Sequence, residues 1–130
     1  MNELTGRCQC GNVIFKVKQE TPPISLTCHC RDCQQFTGTG HARSLGVDVD
    51  QVTWLSEGRT TSYTVESALG NTVENHFCGK CGTPVYKRAL DLAEHVLFLY
   101  AGSLDRESRE TFNPGVEIWL HSKPSWDCLV

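Results

Sequence analysis

Cysteines in three short motifs are the residues of this sequence best suited to chemistry. The chain has 130 residues and 8 cysteines, and all but one of them fall in the motifs CQC, CHCRDC and CGKC. The motif cysteines are Cys8 and Cys10, then Cys28, Cys30 and Cys33, then Cys78 and Cys81. Cys128 stands alone. Thiolates at such short spacings converge on one metal ion, and zinc is the ion that they most often hold.

A disulfide framework is the main alternative for so many cysteines. The N-terminal segment MNELTGRCQCGN has no apolar run typical of a secretory signal. Disulfides are rare in reducing compartments, so the sequence predicts a cytoplasmic protein with reduced, metal-binding cysteines. A weaker alternative is a redox protein that uses Cys28 to Cys33 and forms a reversible disulfide after losing zinc.

The CQCG and CGKCG motifs complement each other as two halves of a structural zinc site. In CGKCG a glycine follows each cysteine, where it relieves crowding and lets backbone N–H groups point at the sulfurs, and in CQCG a glycine follows the pair. The two pairs together supply four thiolates, the closed ligand set of structural zinc. The sequence therefore predicts a structural zinc, whose binding energy contributes to folding, at Cys8, Cys10, Cys78 and Cys81.

The CHCRDC motif supplies three thiolates and leaves a tetrahedral zinc one ligand short. Three protein ligands with one open position are the pattern of a catalytic zinc. Three thiolates and one Zn²⁺ sum to one negative charge, so such a zinc is a weak Lewis acid suited to a soft sulfur ligand. The motif predicts a catalytic zinc at Cys28, Cys30 and Cys33 that binds a small thiol.

The alternative for this motif is a second structural site, closed by a fourth protein ligand. Candidates for that ligand are Cys128, His29, His41 and His76. Cys128 is the most serious of them, whereas His29 lies between two cysteines and is expected to point away from their metal. Arg31 is placed to bind a substrate carboxylate, with a local Arg31–Asp32 pair as the alternative. No general base is identifiable.

Short β-strands must position these motifs, because apolar residues alternate with period two between turn signals. In NVIFKVKQ (12–19) apolar residues alternate with lysines, and in HARSLGV (41–47) small residues alternate with Leu45 and Val47. Further strands are predicted at 52–55, 61–65, 72–77, 84–88, 95–101 and 116–120. Single helical turns are predicted at 31–36 and 104–108, and the prolines of ETPPIS (20–25) predict a loop. A mainly β, single-domain chain over residues 1–130 follows.

Charge and composition exclude two classes of partner. The formal net charge is -3 and the 12 lysines and arginines are scattered, which disfavours binding to nucleic acid. The longest strongly apolar stretch, VLFLYAG, has the length of a strand and is too short to cross a membrane. The chain is 39% hydrophobic and 21% charged, as in a soluble globular protein. We therefore expect a small-molecule partner, and neither nucleic acid nor membrane.

Five segments occur in a characteristic order: GRCQCGNVIFKV, CHCRDCQQFTGTG, FCGKCGTPVY, LYAGSLD and IWLHSKPSW, which together span residues 6–126. With these motifs the sequence resembles the glutathione-dependent formaldehyde-activating enzyme (GFA) family, which also includes centromere protein V. The resemblance implies a β-tent fold of twisted antiparallel sheets with very little helix. It also implies two zinc ions per chain, at the structural and catalytic positions named above.

The resemblance further implies an activity. Enzymes of this family add glutathione to formaldehyde to give S-hydroxymethylglutathione, and they are classed as carbon–sulfur lyases. The alternative is a non-catalytic zinc-binding module that acts in interactions or as a chaperone. An open coordination position at Cys28, Cys30 and Cys33 would favour the enzyme, and two zinc ions with four protein ligands each would favour the module.

Overall fold

The fold consists of ten β-strands and two short α-helices within the residues that the computed structural model describes, which are 3–18, 24–67, 69–110, 112–113 and 115–127. The strands are β1 (Glu3–Arg7), β2 (Ile14–Lys18), β3 (Ile24–Cys28), β4 (Ala42–Asp48), β5 (Val52–Trp54), β6 (Thr60–Glu66), β7 (Thr72–Cys78), β8 (Pro84–Ala89), β9 (Val96–Tyr100) and β10 (Val116–Ile118). The helices are α1 (Arg31–Thr37) and α2 (Arg106–Glu110). The mainly β fold predicted from the sequence is confirmed.

The strands form two sheets of unequal size. One has three strands in the order β1-β2-β5, and the other has seven in the order β10-β3-β4-β9-β8-β7-β6. Neighbouring strands are antiparallel, apart from β10 and β3, which run parallel. In β1, a Cβ on Gly6 would clash with the Phe15 ring and the Ser103 carbonyl oxygen. Glycine at this position therefore lets β1 approach its neighbours closely.

The main hydrophobic core packs the small sheet against one face of the large sheet. Phe15 of β2 is fully buried there, together with Leu45 and Val47 of β4 and Leu99 of β9. Burying each such side chain contributes about 1.5–3 kcal/mol. Side chains alternate between the two faces of a strand. The residues between these core positions therefore point to the opposite face of the large sheet, as the alternation in segment 41–47 predicts.

Helix α1 lies on this opposite face. Cys30 caps its N-terminus, where the Cys30 Sγ accepts a hydrogen bond from the Cys33 N–H at 3.3 Å. Gly38 ends the helix in the left-handed conformation, with a φ of 72°. The Phe36 ring packs against Tyr100 of β9, with ring centroids 5.8 Å apart. The helix that carries Cys33 is thus anchored to the sheet.

The structure corrects two of the predicted boundaries. Ile24 and Ser25 were expected in a loop, but they begin β3 and pair with Gly46 and Leu45 of β4. Residues 116–120 were expected to form one strand, but β10 stops at Ile118 because the next residue adopts a φ of 60°. No helix in the described part of the chain has both the length and the apolar character needed to cross a bilayer.

Candidate functional site

Four cysteine sulfurs from two distant segments meet at the end of β7, and we call this group the four-sulfur cluster. Its members are Cys8, Cys10, Cys78 and Cys81, whose Sγ atoms all lie within 4.8 Å of one another. The Cys10 Sγ lies 3.7 Å from that of Cys8 and 3.8 Å from that of Cys78. A tetrahedral zinc with bonds of about 2.3 Å would hold its sulfurs about 3.8 Å apart. The geometry of the cluster therefore fits a zinc ion.

Glycines shape the two turns that present these sulfurs. Gly11 and Gly82 each follow the second cysteine of a pair and have φ values of 81° and 80°, a conformation that glycine adopts without strain. Backbone N–H groups then point at sulfur: Val13 N–H donates to Cys8 Sγ at 3.2 Å, and Lys80 N–H donates to Cys78 Sγ at 3.4 Å. The glycines of the CGKCG motif predict such N–H···S hydrogen bonds.

Three further sulfurs, of Cys28, Cys30 and Cys33, form the three-sulfur cluster on the α1 side of the large sheet. Their Sγ atoms also lie within 4.8 Å of one another. Hydrogen bonds with Cys28 and then Cys33 lower the pKa of Cys30 to about 2. The bond with Cys30 raises the pKa of Cys28, and the bond with Cys28 raises that of Cys33. One thiolate is thus already favoured without metal, and a divalent ion would displace the other two protons.

The histidines proposed as a fourth ligand lie elsewhere. His29 and His41 group with Asp127 rather than with the three sulfurs, and His76 stacks on Tyr86 with ring centroids 4.1 Å apart. Cys128 lies outside the described residues. Within the described ranges, the three-sulfur cluster has no fourth histidine, cysteine or carboxylate ligand.

His29, His41 and Asp127 lie together, and a hydrogen bond joins two of them, His41 and Asp127. Arg43 Nε–H donates to His41 Nε2 at 3.3 Å, so the other ring nitrogen of His41 carries the proton and donates to Asp127 Oδ2 at 2.7 Å. This bond lowers the pKa of Asp127. The buried His29 ring lies 2.9 Å from Glu117 Oε1 of β10. The guanidinium of Arg43 disfavours a metal cation here. His29 joins the CHCRDC loop to β10, and His41 joins the residue before β4 to the segment around Asp127.

A largely buried lysine lies against the three-sulfur cluster. Lys87 Nζ of β8 lies 3.1 Å from Cys33 Sγ and 2.9 Å from Asp32 Oδ2, and the Asn75 amide donates to Asp32 Oδ1 at 3.1 Å. Burial alone would lower the pKa of Lys87, but electrostatic interaction with the neighbouring acidic groups, Cys33 first, raises it above its usual range. The alternative of an Arg31–Asp32 pair is therefore wrong, because Asp32 pairs with Lys87.

A cavity of about 650 Å³ opens beside the three-sulfur cluster, and all three cysteines line it. Tyr100 of β9 also lines it, and its buried hydroxyl has no hydrogen-bond partner among the described residues. Burial raises the pKa of Tyr100 above its usual range, so the group stays a neutral O–H donor. Neither Tyr100 nor Lys87 is identifiable as a site residue from the sequence, because Tyr100 ends an apolar strand and Lys87 stands beside a second cation, Arg88.

Comparison with known proteins places this site in a family. A search of curated proteins finds no significant match. A crystal structure of a Rhodobacter sphaeroides protein has a similar fold, with a TM-score of 0.65 at 15% identity over 87% of this chain and 98% of that chain. The family model described as glutathione-dependent formaldehyde-activating enzyme matches residues 3–122. Because that match covers most of the sequence, the chain belongs to the glutathione-dependent formaldehyde-activating enzyme family.

Proposed function

We propose that this protein is a zinc-dependent carbon–sulfur lyase that joins a small thiol, of which glutathione is the family example, to an aldehyde such as formaldehyde. The observation that carries this proposal is the three-sulfur cluster in the wall of a cavity that Tyr100 also lines, with a hydroxyl that has no hydrogen-bond partner in the described part of the chain. A ligand set with an open side, a donor and a binding space are together what an addition to a carbonyl requires. The chain would act as one domain in the cytoplasm.

Each cluster would hold one zinc ion. Cys8, Cys10, Cys78 and Cys81 would hold a structural ion, and Cys28, Cys30 and Cys33 a catalytic one. When bound at the second place, zinc supplies a positive charge that favours the thiolate form of a substrate thiol. The remaining contributions come from the side chains of the protein.

The addition conserves atoms and electrons without an oxidant. The thiol sulfur forms a bond to the carbonyl carbon, the π electrons of the C=O bond move to the oxygen, and the proton of the thiol ends on that oxygen. Negative charge grows on the oxygen as the S–C bond forms. We assign Tyr100 to donate a hydrogen bond to this oxygen, because the residue lines the cavity and its buried hydroxyl has no partner among the described residues to give up first.

Lys87 acts on the cluster rather than on the substrate. Its ammonium lies 3.1 Å from Cys33 Sγ and offsets the negative charge of three thiolates. Asp32 holds it in place from 2.9 Å. The cavity walls would bring the two reactants together and exclude water, which favours the bimolecular addition.

The test is the rate at which the zinc-loaded chain interconverts free thiol, formaldehyde and their adduct, measured by NMR exchange spectroscopy above the spontaneous rate. We expect acceleration by the unaltered chain and none by Cys30→Ser. Zinc at both clusters without any acceleration would contradict the proposal and favour a non-catalytic zinc-binding module.

A further inference from the structure

The cavity beside the three-sulfur cluster is larger than its smallest reactant needs. Formaldehyde is close in size to a water molecule, which occupies about 30 Å³ in the liquid, whereas the cavity measures about 650 Å³. That volume falls in the range of about 300–1,000 Å³ typical of sites for whole organic ligands. Most of the space is therefore available to the body of the other reactant, the thiol.

The walls of this space are largely apolar. Leu26, Val73 and Phe98 line it from three strands of the large sheet. Its rim carries Leu69 and Leu92, each 71% exposed. Single exposed apolar side chains are common on protein surfaces, whereas several grouped around one opening indicate a binding site. An apolar group that fills the cavity would shield these leucines from water, which favours its binding.

Trp119 adds an aromatic wall at some conformational cost. It is the only described residue other than glycine with a positive φ, at 60°, and a bulky side chain rarely adopts that conformation. Its side chain lines the cavity and packs against the group that contains Cys28 and Cys33. Backbone strain of this kind persists where the surrounding structure holds it and often marks a ligand site.

The charges of the cavity disfavour an anionic thiol. The charged side chains among its described lining residues are Arg31, Lys87, Asp32 and Glu66. These two cations and two anions cancel, and three thiolates with one Zn²⁺ leave one negative charge. Lys87 is already held by Asp32 and Cys33. Among the lining residues that the structure describes, this leaves the exposed Arg31 for a carboxylate. Glutathione carries two carboxylates and one ammonium, so its net charge is negative, and Arg31 can pair with only one of the carboxylates.

We infer that the thiol substrate has an apolar body, aryl or branched alkyl, in place of the charged peptide of glutathione. This inference rests on the proposed thiol–aldehyde addition and specifies the thiol that the same site takes. The sulfur would lie beside the three-sulfur cluster, and the apolar body would lie between Trp119 and the leucines of the rim.

Binding and turnover can be measured separately with three thiol probes, namely phenylmethanethiol, glutathione and 2-mercaptoethanol. The full chain is loaded with Co²⁺, whose visible absorption changes when a further sulfur ligand binds, and each probe is titrated. The same probes are then compared with formaldehyde in the zinc-loaded chain by NMR exchange. We expect phenylmethanethiol to bind at least about tenfold more tightly than glutathione, as burial of an aromatic ring predicts.

Variants at one rim position sharpen this test. Leu92→Asp should weaken the binding of phenylmethanethiol about tenfold and leave the affinity for 2-mercaptoethanol unchanged. Leu92→Arg should also weaken the binding of phenylmethanethiol, but it should strengthen the binding of glutathione because it adds a cation. Leu55→Asp is the matched control, since Leu55 is 54% exposed and does not line the cavity; it should change none of the three affinities.

The outcomes distinguish this inference from the proposed function. Tighter binding of glutathione than of phenylmethanethiol, or equal effects of Leu92→Asp and Leu55→Asp, would overturn the apolar substrate. Failure of every probe to change the cobalt spectrum would overturn both proposals. Selective binding of phenylmethanethiol without faster adduct formation would support an apolar ligand and contradict the proposed lyase activity.

Discussion

The four-sulfur and three-sulfur clusters use the same ligand atom but are built differently. In the four-sulfur cluster, Cys10 and Cys78 lie 68 residues apart in sequence, and two turns from different parts of the chain must fold before all the sulfurs meet. The three-sulfur cluster comes from one local segment, from the end of β3 to the first turn of α1. The four-sulfur cluster therefore forms only when distant parts of the chain have folded together, whereas the three-sulfur cluster comes from a single short segment.

The two clusters also differ in what surrounds them. Cys8 and Cys78 are almost fully buried members of the main core between the sheets. Cys28, Cys30 and Cys33 line a cavity on the other face of the large sheet. A metal in the first place would hold the fold together, and a metal in the second place would be reachable by a ligand. The position of a cysteine set relative to the core thus indicates which of two sets can do chemistry.

The largest expected effect comes from removing one sulfur of each cluster in turn. Cys81→Ser should lose the metal of the four-sulfur cluster and at least about 3 kcal/mol of the free energy of unfolding, because metal binding there is coupled to folding. Cys30→Ser should lose the other metal and keep most of the stability. Zinc content by mass spectrometry and urea unfolding measure both results. Equal losses of stability in the two variants would contradict the division into structural and catalytic sites.

The next effect concerns catalysis alone. Tyr100→Phe should lower the rate of adduct formation about 100-fold, as loss of one preorganised hydrogen-bond donor to a developing oxyanion does. Zinc content and unfolding should change little, because the hydroxyl has no partner among the described residues. NMR exchange gives the rate. The control is Tyr63→Phe, since Tyr63 is 65% exposed and does not line the cavity. An equal loss of rate in this control would contradict the role of Tyr100 in the addition.

A third experiment compares the lysines beside the two clusters. Lys87→Met should lower the free energy of unfolding by about 1–3 kcal/mol, because it leaves the half-buried Asp32 and the thiolates of the three-sulfur cluster without their cation. Lys80→Met should cost less than about 0.5 kcal/mol, because Lys80 is exposed. Urea unfolding measures both. Similar losses would mean that Lys87 does not offset the charge of its cluster.

The cysteine clusters were predictable from the sequence because each pair or triplet is local. Cysteines two or three residues apart converge on a metal in almost any fold, and Gly11 and Gly82 mark the turns that present them. The alternation of apolar residues likewise predicts most strands, and the packing of Leu45 and Val47 on the face opposite Ala42 and Ser44 is as expected.

The groups around the three-sulfur cluster could not be predicted, because they depend on strand register. Lys87 reaches Cys33 across a sequence separation of 54 residues, and His41 reaches Asp127 across 86. Tyr100 faces the cavity because it pairs with Ser44, two residues beyond the Ala42 partner of Cys28. Pairings between distant strands leave little trace in a single sequence, since many registers satisfy the same alternation.

The smallest expected effect is the order in which a chelator removes the two metals. The three-sulfur cluster offers three ligands and faces a cavity, so a chelator can reach its metal and complete the coordination there. The four-sulfur cluster has four ligands, two of them buried in the core. Its metal should require at least about tenfold more chelator, a difference of about 1.4 kcal/mol. Circular dichroism recorded together with zinc release would show the first metal leaving a folded chain and the second leaving as the chain unfolds. Release of both metals in one step, with unfolding, would mean that both clusters are structural and would remove the basis for an open catalytic site.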